Sequence, residues 1–398
     1  MSADPVASQV PAVVGGASAP SRDRLSRARR AARVQFAVLG ILAGAWGVHI
    51  PSVKSRYALN EVTLALVLLV VASGALLSLL FAGRVVGRFG ARRAAVAAAL
   101  AMCTMLALVL TWPGLASMLP AMLVFGAGMS LFDVAINAEG TVLEALSGRT
   151  VMSNLHGMFS IGGMAGAALT AALLRAGVAP LWQLVGIALL LAVAASFAAR
   201  NMLDAHPSAA EGEATLHFAW PRGLLLIIGL LVFAGMTAEG VMYDWCVLYL
   251  KQELGMPQAQ AGLGYAAFAG AMALARFGGD ALRERFSERA LLRAGGALAA
   301  LSMAVVLLAG VPWVALLGFT FVGAGLAPVV PILFNAATRV PGVSRAAAIA
   351  SVSSIGYAGF MVGPPLIGAI AHSSSLTWAL AVLVVAASTL ALGARRIG

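Results

Sequence analysis

Charge is scarce in this sequence: only 10% of its 398 residues are Asp, Glu, Lys or Arg, while 61% are hydrophobic and the mean hydropathy is +0.95. That balance excludes an ordinary soluble domain and implies a polytopic membrane protein. Lysine is almost missing, Lys54 and Lys251 standing against 24 arginines, which with the abundance of alanine points to a high-GC bacterial genome. The two cysteines, Cys103 and Cys246, fall in different apolar runs and show no metal-type spacing, so neither a disulfide framework nor a zinc site is expected. H-E-x-x-H, G-x-S-x-G and G-x-x-x-x-G-K-[ST] are all absent, and the five histidines are scattered at 49, 156, 206, 217 and 372. A membrane-embedded enzyme, ATP use through a P-loop, a cofactor and a bound metal therefore have nothing to rest on. The net charge of +11 would point to nucleic acid in a soluble chain, but here its distribution matters more than its sum, and no nucleic-acid partner is expected.

What is present is a succession of apolar runs long enough to cross about 30 Å of hydrocarbon. Twelve are read, at 35–55, 62–82, 92–112, 116–146, 151–175, 181–200, 220–250, 260–282, 289–310, 312–336, 345–371 and 375–394. The fold class expected is an all-α membrane protein of twelve transmembrane helices in two six-helix bundles. Residues 1–34 carry six arginines but no signal-type apolar core, and are read as a disordered cytoplasmic tail. With both termini inside, 21 of the 26 Lys and Arg lie in segments assigned to the cytoplasm, four (Lys54, Arg56, Arg175, Lys251) lie on the other side, and Arg276 is within a helix. The excess of cytoplasmic positive charge fixes the expected orientation, in a bacterial inner membrane.

The chain also resembles itself. Adding 197 to the numbering places Gly126-Ala127-Gly128 on Gly323-Ala324-Gly325, Arg88-Phe89 on Arg285-Phe286, Arg92 on Arg289, and Gly162, Met164 and Gly166 on Gly359, Met361 and Gly363. One gapless offset over three separated regions implies a duplicated bundle: 35–200, a linker 201–219, then 220–398. The repeated glycines imply close helix contacts, and Gly363-Pro364-Pro365 implies a kink or hinge.

Polar residues inside such runs need a reason, because a charge at a helix centre costs roughly 2.5–3.5 kcal/mol on insertion scales. Asp133 and Asn137 share one face of the fourth span, pairing a titratable acceptor with an amide. They can serve a proton and a hydroxylated solute, or merely bond a neighbouring helix. Asp133 lies near the middle of its span, with Glu139 about 9 Å nearer the cytoplasm. Glu239, near the middle of the seventh span with Tyr243 one turn on, is the matching acid of the second half, as a proton or binding site or as an interhelical bond. Further candidates to line a shared cavity are Trp46, His49, Ser160, Trp245, Ser353 and Tyr357, Tyr357 corresponding by offset to Ser160. His156, with Glu139, reads as structural or gating. Arg276 and Asp280, one turn apart toward the cytoplasm, read as an ion-paired gate.

These residues resemble the major facilitator superfamily. The loop between its second and third helices carries a G-x-x-x-D-R-x-G-x-R-R element, matched by Gly83 to Arg93 with Gly87 where the family has aspartate; the resemblance implies gating roles for Arg88 and Arg92. Within the superfamily the chain is similar to the fucose permease branch. Asp133 and Asn137 match an E-x-x-x-N-type pattern, Glu239, Trp245, Tyr249 and Leu250 a seventh-helix pattern, and Gly363-Pro364 a glycine-proline element. The resemblance implies a monomeric secondary transporter working by alternating access, moving a small polar solute, sugar-like or an organic metabolite, with a proton coupled through Asp133 or Glu239 and lipid as its surroundings. Proton-driven efflux of drugs or metabolites is the second reading, and a non-transporting membrane sensor a distant third.

Overall fold

The structure, a computed structural model, describes residues 20–148, 151–204 and 221–397, without the side chains of 280, 281 and 346. The described residues form helices and no strand: α1 (Arg22–Arg56), α2 (Glu61–Phe89), α3 (Ala91–Leu108), α4 (Leu115–Ser147), α5 (Met152–Arg175), α6 (Pro180–Ala199), α7 (Leu224–Gln252), α8 (Gln258–Arg285), α9 (Glu288–Ala309), α10 (Pro312–Leu326), α11 (Val329–Ala337), α12 (Arg345–Ser373) and α13 (Leu376–Gly393). Their ends are written locally. Asn60 accepts the Thr63 amide to start α2, and Ser287, Ser344 and Ser375 do the same for α9, α12 and α13. Gly148 and Gly310 take the left-handed conformation that closes α4 and α9.

Eleven of the described segments are long and apolar enough to cross a membrane, α10 and α11 together making one. The expected eighth crossing, α8, has the length but not the apolarity: Ala and Gly dominate it, and Arg276 and Asp280 lie inside it. It packs instead against α5, α10 and α7, so protein neighbours replace part of the lipid contact.

Helices α1–α6 pack mainly on one another, as do α7–α13, and the halves join through α5 on α8, α2 on α12, and α1 on α7 and α8. The 197-residue offset reappears in these contacts. A Cβ at Gly126 would lie 1.9 Å from the Val71 carbonyl oxygen, and one at Gly323 would lie 2.3 Å from the carbonyl oxygen of Phe268, the equivalent residue. Gly128 approaches Ala98 and Met102, and Gly325 approaches their equivalents Gly295 and Ala299. Only glycine lets these backbones touch, and in lipid such packing replaces the hydrophobic drive that water supplies elsewhere.

Two expectations change, the extent of the tail and the continuity of the tenth crossing. The tail read as disordered to residue 34 is helical from Arg22, because Ser21 caps it and Arg24 holds the carbonyls of Asn201 and Met202 at 3.0 and 2.6 Å; residues 1–19 lie outside the described ones. The same holds for most of the linker, of which 201–204 are described. The Gly363-Pro364-Pro365 element does not interrupt α12, which runs through it. The break falls in the tenth crossing, at Ala327-Pro328, between α10 and α11. Membrane helices absorb proline when neighbours cover the freed carbonyls, which explains the first, while Pro328 lacks the amide needed to continue α10.

Candidate functional site

Five helices bring polar side chains to the join between the halves. On α4, Asn137 Nδ2 donates to the Asp133 backbone oxygen at 2.8 Å and to Asp133 Oδ1 at 3.0 Å, so the expected pair exists and both residues keep some accessible surface. Tyr357 of α12 stands within electrostatic range of the Asp133 carboxylate. The i, i+4 spacing made the first pair legible; the approach of Tyr357 needed the fold.

The second cluster centres on Arg276. Its Nη2 contacts Glu239 Oε1 at 3.3 Å and its Nη1 donates to Ser160 Oγ at 3.1 Å, while His156 lies within electrostatic reach. One guanidinium of α8 thus ties α7 of its own half to α5 of the other. Arg276 reaches the Glu239 carboxylate, which the sequence did not pair with it; the Asp280 side chain of the expected Arg276–Asp280 gate lies outside the described ones. A buried or half-buried charge is tolerable only with such a partner, and an arginine fork can serve two acceptors at once.

Beside it, Tyr243 packs on Tyr265 and Phe268 with ring centroids 5.3 and 5.2 Å apart, and its hydroxyl donates to Met272 Sδ at 3.6 Å. Gly47 of α1 lies against Tyr265, so this aromatic wall reaches across the join. Tyr265, Phe268 and Met272 were missed in the sequence. In an alanine-rich span an aromatic residue gives no sign of which face it occupies.

Other candidates are placed elsewhere. Trp46 packs against Phe125, centroids 5.3 Å apart, as core. His49 is fully buried, its Nδ1 3.1 Å from Ser52 Oγ, which also accepts from Gln258 of α8, and its ring toward Gln183 of α6. Trp245 is fully buried among apolar neighbours, and Ser353 stays partly accessible on α12. His156 meets Phe36 edge to face at 5.3 Å, between α1 and the Arg276 cluster.

Two of the expected gating residues of the first half, Arg92 and Glu139, hold chain within that half. Arg92 donates to the Met202 carbonyl at 2.6 Å and its amide to Asp204 Oδ1 at 3.3 Å; fully buried Glu139 accepts the Leu203 amide; Arg88 is exposed over the Phe89 ring. With Arg24, they strap residues 201–204 to α1, α3 and α4.

The model of the Major Facilitator Superfamily matches residues 34–342, and again 225–396. The chain belongs to that superfamily. It is 36% identical over 365 residues to an uncharacterised MFS-type transporter of Yersinia pestis, covering 92% of this chain and 94% of the relative. It is 33% identical to the membrane protein MosC of Rhizobium meliloti, over 88% of this chain and 85% of that one. Among solved structures it is similar to the nucleoside transporter NupG (TM-score 0.73, 14% identity, 94% of this chain and 99% of that one). It is also similar to a single-residue variant of the E. coli fucose:proton symporter FucP (TM-score 0.63, 16% identity, 93% and 98%). At such identities these neighbours show the fold. The superfamily member is a multi-pass membrane transporter, of a class that is not enzymatic.

Proposed function

We propose that this superfamily member is a proton-coupled secondary transporter of a small, hydroxyl-bearing polar solute, working by alternating access in a bacterial inner membrane with both termini cytoplasmic. The carrying observation is that Arg276 bonds Glu239 of its own half and Ser160 of the other, at the join about which the halves would rock. Donors and acceptors of this kind, beside the Tyr243–Tyr265 wall, suit a ring with several hydroxyls. The two structural neighbours, a fucose:proton symporter and a nucleoside transporter, agree with that solute class without defining it.

The two acids divide the work. Glu239 is ion-paired, so protonating it would strand the Arg276 charge; Asp133 has, among the described residues, only the Asn137 amide as a direct side-chain bond and can be neutralised without breaking an ion pair. Asp133 is therefore the proton site, while Asn137, Glu239 and Arg276 hold the solute. A neutral Asp133 lowers the cost of closing the cavity around it. In proteoliposomes with an imposed pH gradient, Asp133→Asn abolishes uphill accumulation of an identified solute and spares counterflow exchange. Uphill accumulation at the wild-type rate in that variant sinks the assignment.

A further inference from the structure

The only two lysines of the chain occupy one pocket. Lys54 lies in the last turn of α1 and Lys251 in that of α7, they are 197 residues apart, and together with Pro51, Ser55, Leu59 and Leu248 they line a pocket of about 350 Å³ at the join between the halves. They stand close enough for their charges to interact. Each has the same partner position in its own repeat: Lys54 Nζ contacts Glu61 Oε1 at 2.6 Å, and Lys251 Nζ donates to Gln258 Oε1 at 3.1 Å, Glu61 and Gln258 being the first residues of α2 and α8. The repeat is thus one carboxylate short. Gln258 cannot make up the charge, and its amide already donates to the Val48 carbonyl at 2.9 Å and Ser52 Oγ at 2.7 Å. His372 adds a further basic group beside Glu61, while nearby Glu253 is engaged by the Leu376 amide and Thr377.

Among the described residues, only Lys54 of the two ammonium groups contacts a carboxylate, Lys251 meeting the neutral Gln258, and each ammonium has donors beyond the one bond it makes. We propose that this pocket binds a small oxyanion, of the phosphate or carboxylate class, bridging Lys54 and Lys251. The halves are closed at this end: Gln258 bonds α1, and Gly368 of α12 lies against Ala65 and the Glu61 carbonyl of α2. Rocking the halves open here separates α1 from α7, so a bridging anion binds the closed arrangement better and biases the population toward it. The inference stands on the lysine pair and not on the solute assigned above. The oxyanion is either free in solution or the phosphate of a lipid headgroup.

The test titrates purified, lipid-free protein in detergent with inorganic phosphate at constant ionic strength, and separately compares nanodiscs of phosphatidylglycerol with phosphatidylcholine. The expected result is saturable phosphate binding that stabilises the protein, weakened about tenfold or more by Lys251→Gln and by Lys54→Gln and unchanged by Arg175→Gln, corresponding to one lost charge-assisted contact. A headgroup source gives the same lysine dependence only in the phosphatidylglycerol discs. Absence of binding in both arms, or stabilisation that is equal in wild type and both lysine variants, overturns the proposal.

Discussion

Gly126 presses on the Val71 carbonyl and Gly323 on the Phe268 carbonyl, 197 residues later in each case, but the polar side chains that face the join follow no such rule. In the first half Asp133 bonds within its own helix; in the second Glu239 is ion-paired to Arg276, which also crosses to Ser160. Ser160 and its equivalent Tyr357 both keep hydroxyls at the join, one serving an arginine and the other near an aspartate. The comparison teaches that the duplicated part is the packing and the divergent part is the chemistry. Backbone contact at a glycine tolerates no substituent, whereas a partly accessible polar position can change partners as long as no charge is left alone.

The comparison breaks most sharply at the shared glycines. Gly126→Val and Gly323→Val each force a side chain into a carbonyl, and each is expected to exceed the ~1–3 kcal/mol typical of overpacking. The expected outcome is loss of monodisperse protein after detergent extraction for both; survival of one alone would show that the packing symmetry is geometric and not energetic. Next comes the ion pair. With side chains only 12% and 18% accessible, Glu239→Gln or Arg276→Gln should cost toward the low end of about 3–5 kcal/mol, and the double variant less than the sum by about 1–3 kcal/mol. Additive losses of thermal stability would mean the two charges are not coupled.

Smaller effects separate the equivalent hydroxyls. Ser160→Ala removes a bond to a charged group and should cost about 1.5 kcal/mol, while Tyr357→Phe stays within about 0.5 kcal/mol in unfolding and raises the transport KM of an identified solute. A further contrast lies at the pair Gly166 and Gly363. A Cβ at Gly166 would lie 2.3 Å from the Ile41 carbonyl oxygen, whereas at Gly363 the nearest atoms, of Thr237 and Val241, are 3.9 Å away. Gly166→Ala should therefore lower the melting temperature more than Gly363→Ala, whose Cβ meets no neighbouring helix closer than 3.9 Å and is strained only against the following Pro364. Equal losses at both positions would erase the asymmetry between the α1–α5 and α7–α12 contacts.

Composition and the 197-residue offset by themselves determined the helical class and the duplication, because lipid permits few backbone solutions and because glycine cannot be replaced where helices touch. The spacing of Asp133 and Asn137 likewise determined their pairing, a property of one helix. Tertiary structure decided everything that depends on which way a side chain points across a join. It gave Arg276 to Glu239 and Ser160, turned His49 toward α6, and put Glu139 and Arg92 on residues 201–204. It also brought Lys54 beside Lys251. In an alanine-rich helix the apolar pattern barely distinguishes one face from another, so the partner of a polar side chain is set by the neighbouring helices, which local sequence does not encode.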